Sequence, residues 1–165
     1  MLPRVIQVNT SQGGLPKRPV ERAVAGPFGL EGDAFAHPEI HGGSEQALLL
    51  VLREVVDELT GQGFPLFYGA LGENLTVEGL DRRTLSAGQR YRVGYDVIIR
   101  LTKPRGPCRA LDAYHPDLRS AVWEKRIKHG DRTSPYWGKS GFYAAVEHGG
   151  VILPGAPFIF LDQVC

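Results

Sequence analysis

Sulfur is scarce in this chain. Two cysteines, Cys108 and the last residue Cys165, stand among 165 residues, too few for a disulfide scaffold. That leaves a single internal thiol, which is either an inert core residue or a reactive one. Long apolar runs are lacking as well. The longest, Ala47 to Leu52, is far too short to cross a bilayer, and the opening "MLPRVIQVNT" alternates like a strand instead of pairing a basic end with an apolar core. We therefore expect no membrane association and a cytoplasmic location. Neither charge sign is in large excess: a formal net charge of +1 gives no electrostatic grip on nucleic acid, which is not expected as a partner. With no internal repeat, low-complexity tract or linker, the length suits one domain, taken as residues 1–165.

Turn formers are plentiful, with 21 glycines and 12 prolines spread along the chain. Between them lie short alternating or β-branched runs: "RVIQVNTS", "ENLTVEG", "QRYRVG", "YDVIIRLT", "FYAAVEH" and "APFIFLD". Many short strands with frequent turns predict a mainly β fold, a barrel or sandwich. Two segments read as helices. In one, Ser44 caps a helix carrying Leu48, Val51, Leu52, Val55, Val56 and Leu59 until Gly61 stops it. The other follows Pro116, with Leu118, Ala121, Val122 and Ile127 as its apolar stripe and Lys125, Arg126, Lys128 and His129 toward its C-terminal end. Tyr136 and Trp137, in the loop "HGDRTSPYWGKSG", either cover a pocket or pack.

Three stretches carry candidate chemistry. In "LTKPRGPCRAL", Pro104 and Pro107 each fix φ and remove a backbone donor, so Cys108 sits on a stiff turn. Arg105 and Arg109 flank it with Lys103 nearby, and positive charge beside a thiol favours the thiolate, the form that attacks electrophiles and binds soft metals. A small buried hydrophobe with solvent-facing arginines explains the same residues. In "GLEGDAFAHPEIHGGSEQ", the His41-Gly42-Gly43 turn precedes the expected helix, whose N-terminus would suit an anion. His37 and His41 are four apart, but Pro38 and the glycines argue against one helix presenting both to a metal. In "GALGENLTVEGL", Glu73 and Asn74 offer a carboxylate and an amide, or merely enter a strand after a glycine turn.

Taken in order, "GLEGDAFAHPEIHGGSEQAL", "LGENLTVEGL", "LSAGQRYRVGYDVIIRLTKPRGPCRAL" and "GKSGFYAAVEHGGVILPGA" resemble the MOSC domain, named for the C-terminal domain of molybdenum-cofactor sulfurase. The resemblance runs from about Val5 to the end and is nearest to the small bacterial members of the YiiM type. It implies a β-barrel with a few peripheral helices. It also implies that Cys108, in the motif Pro104-Arg105-Gly106-Pro107-Cys108, ligates molybdenum or carries sulfur. By the same resemblance Arg105, Arg109 and the His41-Gly42-Gly43 turn contact the molybdenum cofactor (molybdopterin), and Asp33, Glu73 and Asn74 line its pocket. The segment "AFAHPEI" departs from the family's spacing, so His37 competes with His41 for the histidine's role.

Three functions follow from the resemblance. The first is reduction of N-hydroxylated small molecules, with electrons from an external redox partner. The second is sulfur delivery through a Cys108 persulfide loaded by a cysteine desulfurase. The third is a binding barrel without catalysis. The stiffness of the cysteine loop favours a fixed metal ligand over a swinging carrier.

Overall fold

A run of leucines forms the centre of the molecule. In the computed structural model, which describes residues 1–34 and 43–165, Leu48–Leu52 is strand β5 and every residue in it is buried. Four strands precede it: β1 (Arg4–Thr10), β2 (Arg18–Val20), β3 (Ala23–Gly26) and β4 (Gly29–Leu30). After it come β6 (Leu75–Glu78), β7 (Gln89–Val93), β8 (Val97–Pro104), β9 (Phe142–His148), β10 (Gly150–Ile152) and β11 (Phe158–Gln163). The helices are short: α1 (Arg53–Gly61), α2 (Leu118–Val122) and α3 (Lys125–Lys128). Every segment expected as a strand contains one.

The helix expected from Ser44 is corrected. Ser44–Gln46 is a single 3-10 turn without a side-chain cap, the chain then runs extended through β5, and α1 starts only at Arg53, burying Val55, Val56 and Leu59. The reason is burial on both faces: successive side chains of β5 point to opposite faces of the sheet and all five are buried, so its residues need not alternate, and a continuous apolar run reads equally well as helix. The second expected helix is also broken. Trp123 is extended (φ −152°, ψ 145°), dividing α2 from α3 and leaving the basic cluster on α3.

Eight strands form one sheet in the order β11-β7-β8-β9-β5-β6-β1-β2, and β10-β3-β4 form a smaller one. The large sheet curls until its ends approach: the Val5 N–H donates to the Ala156 carbonyl and the Phe158 N–H to the Pro3 carbonyl, each at 2.9 Å. The result is the mainly β, barrel-like fold with peripheral helices. Leu50, Leu75, Ile99, Leu101, Phe142 and Phe158 fill its interior. Trp137 packs instead of covering a pocket: it is 3% exposed, and its ring N–H donates to the Leu85 carbonyl at 2.8 Å. Among the described residues no helix is long and apolar enough to cross a membrane.

Candidate functional site

Strand β8 ends at Pro104, yet the backbone stays tied to the sheet, because the Arg105 N–H donates to the Gly141 carbonyl at 2.9 Å. Gly106 and Pro107 lead to Cys108, which is extended (φ −101°, ψ 168°) and stands just before a 3-10 turn, Arg109–Ala113. Its carbonyl accepts from the Leu111 N–H at 3.2 Å, and Leu111 is fully buried, so the turn is anchored directly behind the thiol. That thiol is free and half-buried, at the end of the sheet where β8 finishes and β9 begins.

Arg105 turns inward. It is 4% exposed, and its guanidinium donates to the carbonyls of Leu71 (2.7 Å) and Ser140 (3.4 Å), with the Tyr143 phenol close enough to feel its charge. Among the described residues no carboxylate lies within ion-pairing distance of it. Glu73 sits close enough to feel its charge and is completely buried. Glu73 Oε1 accepts from the Gly69 N–H (2.7 Å) and the Thr76 hydroxyl (3.1 Å), whereas Oε2 has no partner among the described residues. Burial pushes the Glu73 carboxyl above the usual carboxylate range, and these hydrogen bonds together with Arg105 pull it only partly back.

Asn74 and Asp33 brace this end of the sheet. The Asn74 amide oxygen accepts from the Leu49 N–H (3.0 Å), and its NH2 donates to Asp33 (2.8 Å) and to the Asn9 carbonyl (3.3 Å). Asp33 also receives the Lys17 ammonium at 2.6 Å, with the two side chains 7% and 2% exposed for Lys17 and Asp33. The family resemblance places Asp33, Glu73 and Asn74 along a cofactor pocket; in the fold their polar atoms also help hold β1, β5 and β6 together. Arg109 is exposed, away from the buried group. Gly43 has φ +83° with open space where a side chain would go, but the turn after it is too short to supply a helix dipole. His37, His41 and Gly42 lie outside the described residues.

Two residues at this site escaped the sequence reading. Tyr143 faces Lys103 across the β8–β9 pairing and lies within electrostatic range of both Arg105 and Cys108. Burial, and secondarily Cys108, raises its phenol above the ordinary value, against the pull of Arg105. Ser140, whose backbone carbonyl accepts from the same guanidinium, is buried with an unpartnered hydroxyl. Both lie in the stretch "GKSGFYAAVEHGGVILPGA", which by itself gave neither of them a role; the pairing of β8 with β9 brings Tyr143 to the cysteine loop, and the Arg105 guanidinium ties Ser140 to it.

A curled, mostly antiparallel sheet carrying a cysteine loop at the end of one strand defines the class. Residues 37–158 match the family model of the MOSC domain, and the chain belongs to that family. It is 36% identical over 95 residues to protein YiiM of Escherichia coli strain K12, covering 55% of this chain and 42% of that protein. It is 31% identical over 154 residues to YflK of Bacillus subtilis strain 168, covering 91% and 64% respectively. A protein named reductase, from Gibberella moniliformis, is 27% identical over 139 residues, covering 82% of this chain and 23% of that one. The chain thus spans less than two thirds of these relatives' lengths. Among solved structures, YiiM of Geobacillus stearothermophilus superposes with a TM-score of 0.73 at 26% identity, covering 97% of this chain and 75% of that one.

Proposed function

We propose that this protein binds molybdenum cofactor through the Cys108 thiolate and reduces N-hydroxylated small molecules, taking electrons from an external redox partner. The observation that carries the reading is a half-buried free thiol three residues along the loop from a buried guanidinium that has no carboxylate within ion-pairing distance among the described residues. A buried cation without a counter-ion is costly, and an anionic ligand relieves the cost. The donor set fits the cofactor: a soft sulfur for the metal, Arg105 for negative charge, and an unpartnered hydroxyl on Ser140, the residue whose carbonyl Arg105 bonds. The name of the fungal relative agrees with this direction.

When bound, the cofactor supplies the two-electron chemistry that breaks an N–O bond. The chain's own residues do the rest. Cys108 holds the metal from a loop stiffened by Pro104 and Pro107, Arg105 fixes the negative charge, and the Tyr143 phenol holds a proton within range of the thiol. The test is metal and pterin analysis of protein purified from a host that makes the cofactor, followed by assay on hydroxylaminopurine with a competent electron donor. We expect bound molybdenum, reduction of the substrate, and loss of both in Cys108→Ser. Cyanide-releasable sulfur on Cys108 in protein that is inactive as a reductase would replace this reading with sulfur transfer.

A further inference from the structure

Beside the cysteine loop lies a second feature that the cofactor reading leaves unused. Pro107, Pro116 and the half-buried ring of Trp123 line a groove of about 490 Å³, with Arg119, Lys125 and Lys128 on its walls. This size falls in the range of small-ligand clefts, roughly 300–1,000 Å³. One wall is the residue immediately before Cys108, and the Trp123 ring packs near Gly106, where an added β-carbon would come within 3.8 Å of it. Arg119 lies within electrostatic range of the Cys108 thiol. The groove therefore adjoins the reactive sulfur.

Its charge is one-sided. Lys125 and Lys128 are three apart on α3, both are exposed, and among the described residues neither has an acidic partner. Arg119 is held by Asp112 at 2.8 and 3.0 Å. Glu124, the acidic residue lining the groove, is occupied by Arg126 and the Ser134 hydroxyl. What remains is an indole flanked by prolines with two uncompensated ammonium groups at its rim, a surface that complements a flat ring bearing negative charge.

We propose that this groove binds a planar aromatic anion of the nucleoside monophosphate class, its ring against Trp123 and its phosphate at Lys125 and Lys128. Combined with the reductase reading, on which this extension rests, the groove makes N-hydroxylated nucleotides the preferred substrates, reduced more efficiently than the free bases.

Trp123 provides the readout, because the chain's other tryptophan, Trp137, is buried and hydrogen-bonded away from solvent. Adenosine monophosphate titrated into the full chain should quench emission saturably, and Trp123→Phe should abolish the change. The exposed double substitution Lys125→Ala/Lys128→Ala should weaken binding by about tenfold, the sum of two surface ion contacts. Adenosine should bind more weakly than the monophosphate, and the monophosphate should slow alkylation of Cys108 in a Cys165→Ser background. No saturable quenching, equal affinity for adenosine and its monophosphate, or full affinity in the double lysine variant would each overturn the proposal. Competition by inorganic phosphate at the monophosphate's own affinity would also overturn it, because the ring would then contribute nothing. These readouts need no turnover, so binding without any reduction of hydroxylaminopurine counts against the reductase reading alone. Reduction without nucleotide binding counts against the groove alone.

Discussion

The guanidinium of Arg105 donates to the backbone carbonyl of Leu71 at 2.7 Å, joining the cysteine loop to the turn that delivers Glu73 to the sheet. Two stretches more than thirty residues apart are thereby held as one unit around the thiol.

Arg105→Ala should accordingly cost stability as well as function. It leaves the carbonyls of Leu71 and Ser140 without that donor and removes packing, for about 2–4 kcal/mol by urea unfolding. Arg105→Lys retains the charge but not the planar fork, so it should recover part of the stability while cofactor retention stays low. Wild-type stability in Arg105→Ala would show that the guanidinium spans nothing.

Glu73 yields a pH prediction. Its carboxyl titrates above the ordinary range in the folded protein, so the native state holds the proton more tightly than the unfolded chain does. Its contribution to stability is therefore full at pH values below the unfolded carboxyl's titration, and is lost as pH rises through the elevated folded value. Glu73→Gln keeps the shape without the titration. In the difference between the two unfolding free energies measured against pH, wild type should lose ground steadily above about pH 5 relative to the variant. A flat difference would mean that Glu73 titrates normally.

Gly141 is the backbone hinge under Arg105. Its φ is +94°, and a β-carbon there would meet the Leu50 carbonyl at 2.6 Å and Val51 at 2.9 Å. Gly141→Ala should destabilise by about 2–5 kcal/mol through left-handed strain and overpacking, and should displace the carbonyl that accepts from the Arg105 N–H. Thermal unfolding with alkylation of Cys108 checks both effects. Unchanged stability would show that β5 moves aside without cost.

Tyr143→Phe separates chemistry from packing. The ring stays in place, so unfolding free energy should remain within about 1 kcal/mol of wild type, while the hydroxyl facing Arg105 is gone. Reductase activity of cofactor-loaded protein should fall about tenfold or more in kcat with little change in KM, as expected when a group acts in the transition state and not in binding. Full activity would make the phenol a structural neighbour only.

The sequence by itself determined a good deal here. Turn residues at close intervals around period-two runs produced the strands, since alternation is imposed by the pleat and needs no partner to be visible. The stiff, charged surroundings of Cys108 were equally legible, because Pro104, Pro107 and Arg105 stand within a few residues of it, and the ordered motifs pointed to the family that the chain matches. Other features were decided only by tertiary structure. Leu48–Leu52 is a strand because its backbone pairs with β6 and β9, and burial of both its faces erases the pattern that separates strand from helix. Asp33, Glu73 and Asn74 have side chains that suit a ligand, yet burial and pairing with Lys17, Gly69 and Leu49 commit most of their polar atoms to the fold. Tyr143, Ser140 and the Trp123 groove reach the cysteine loop through strand pairing and a break between two helices. Proximity of this kind arises from the closing of the sheet, which no local spacing of residues records.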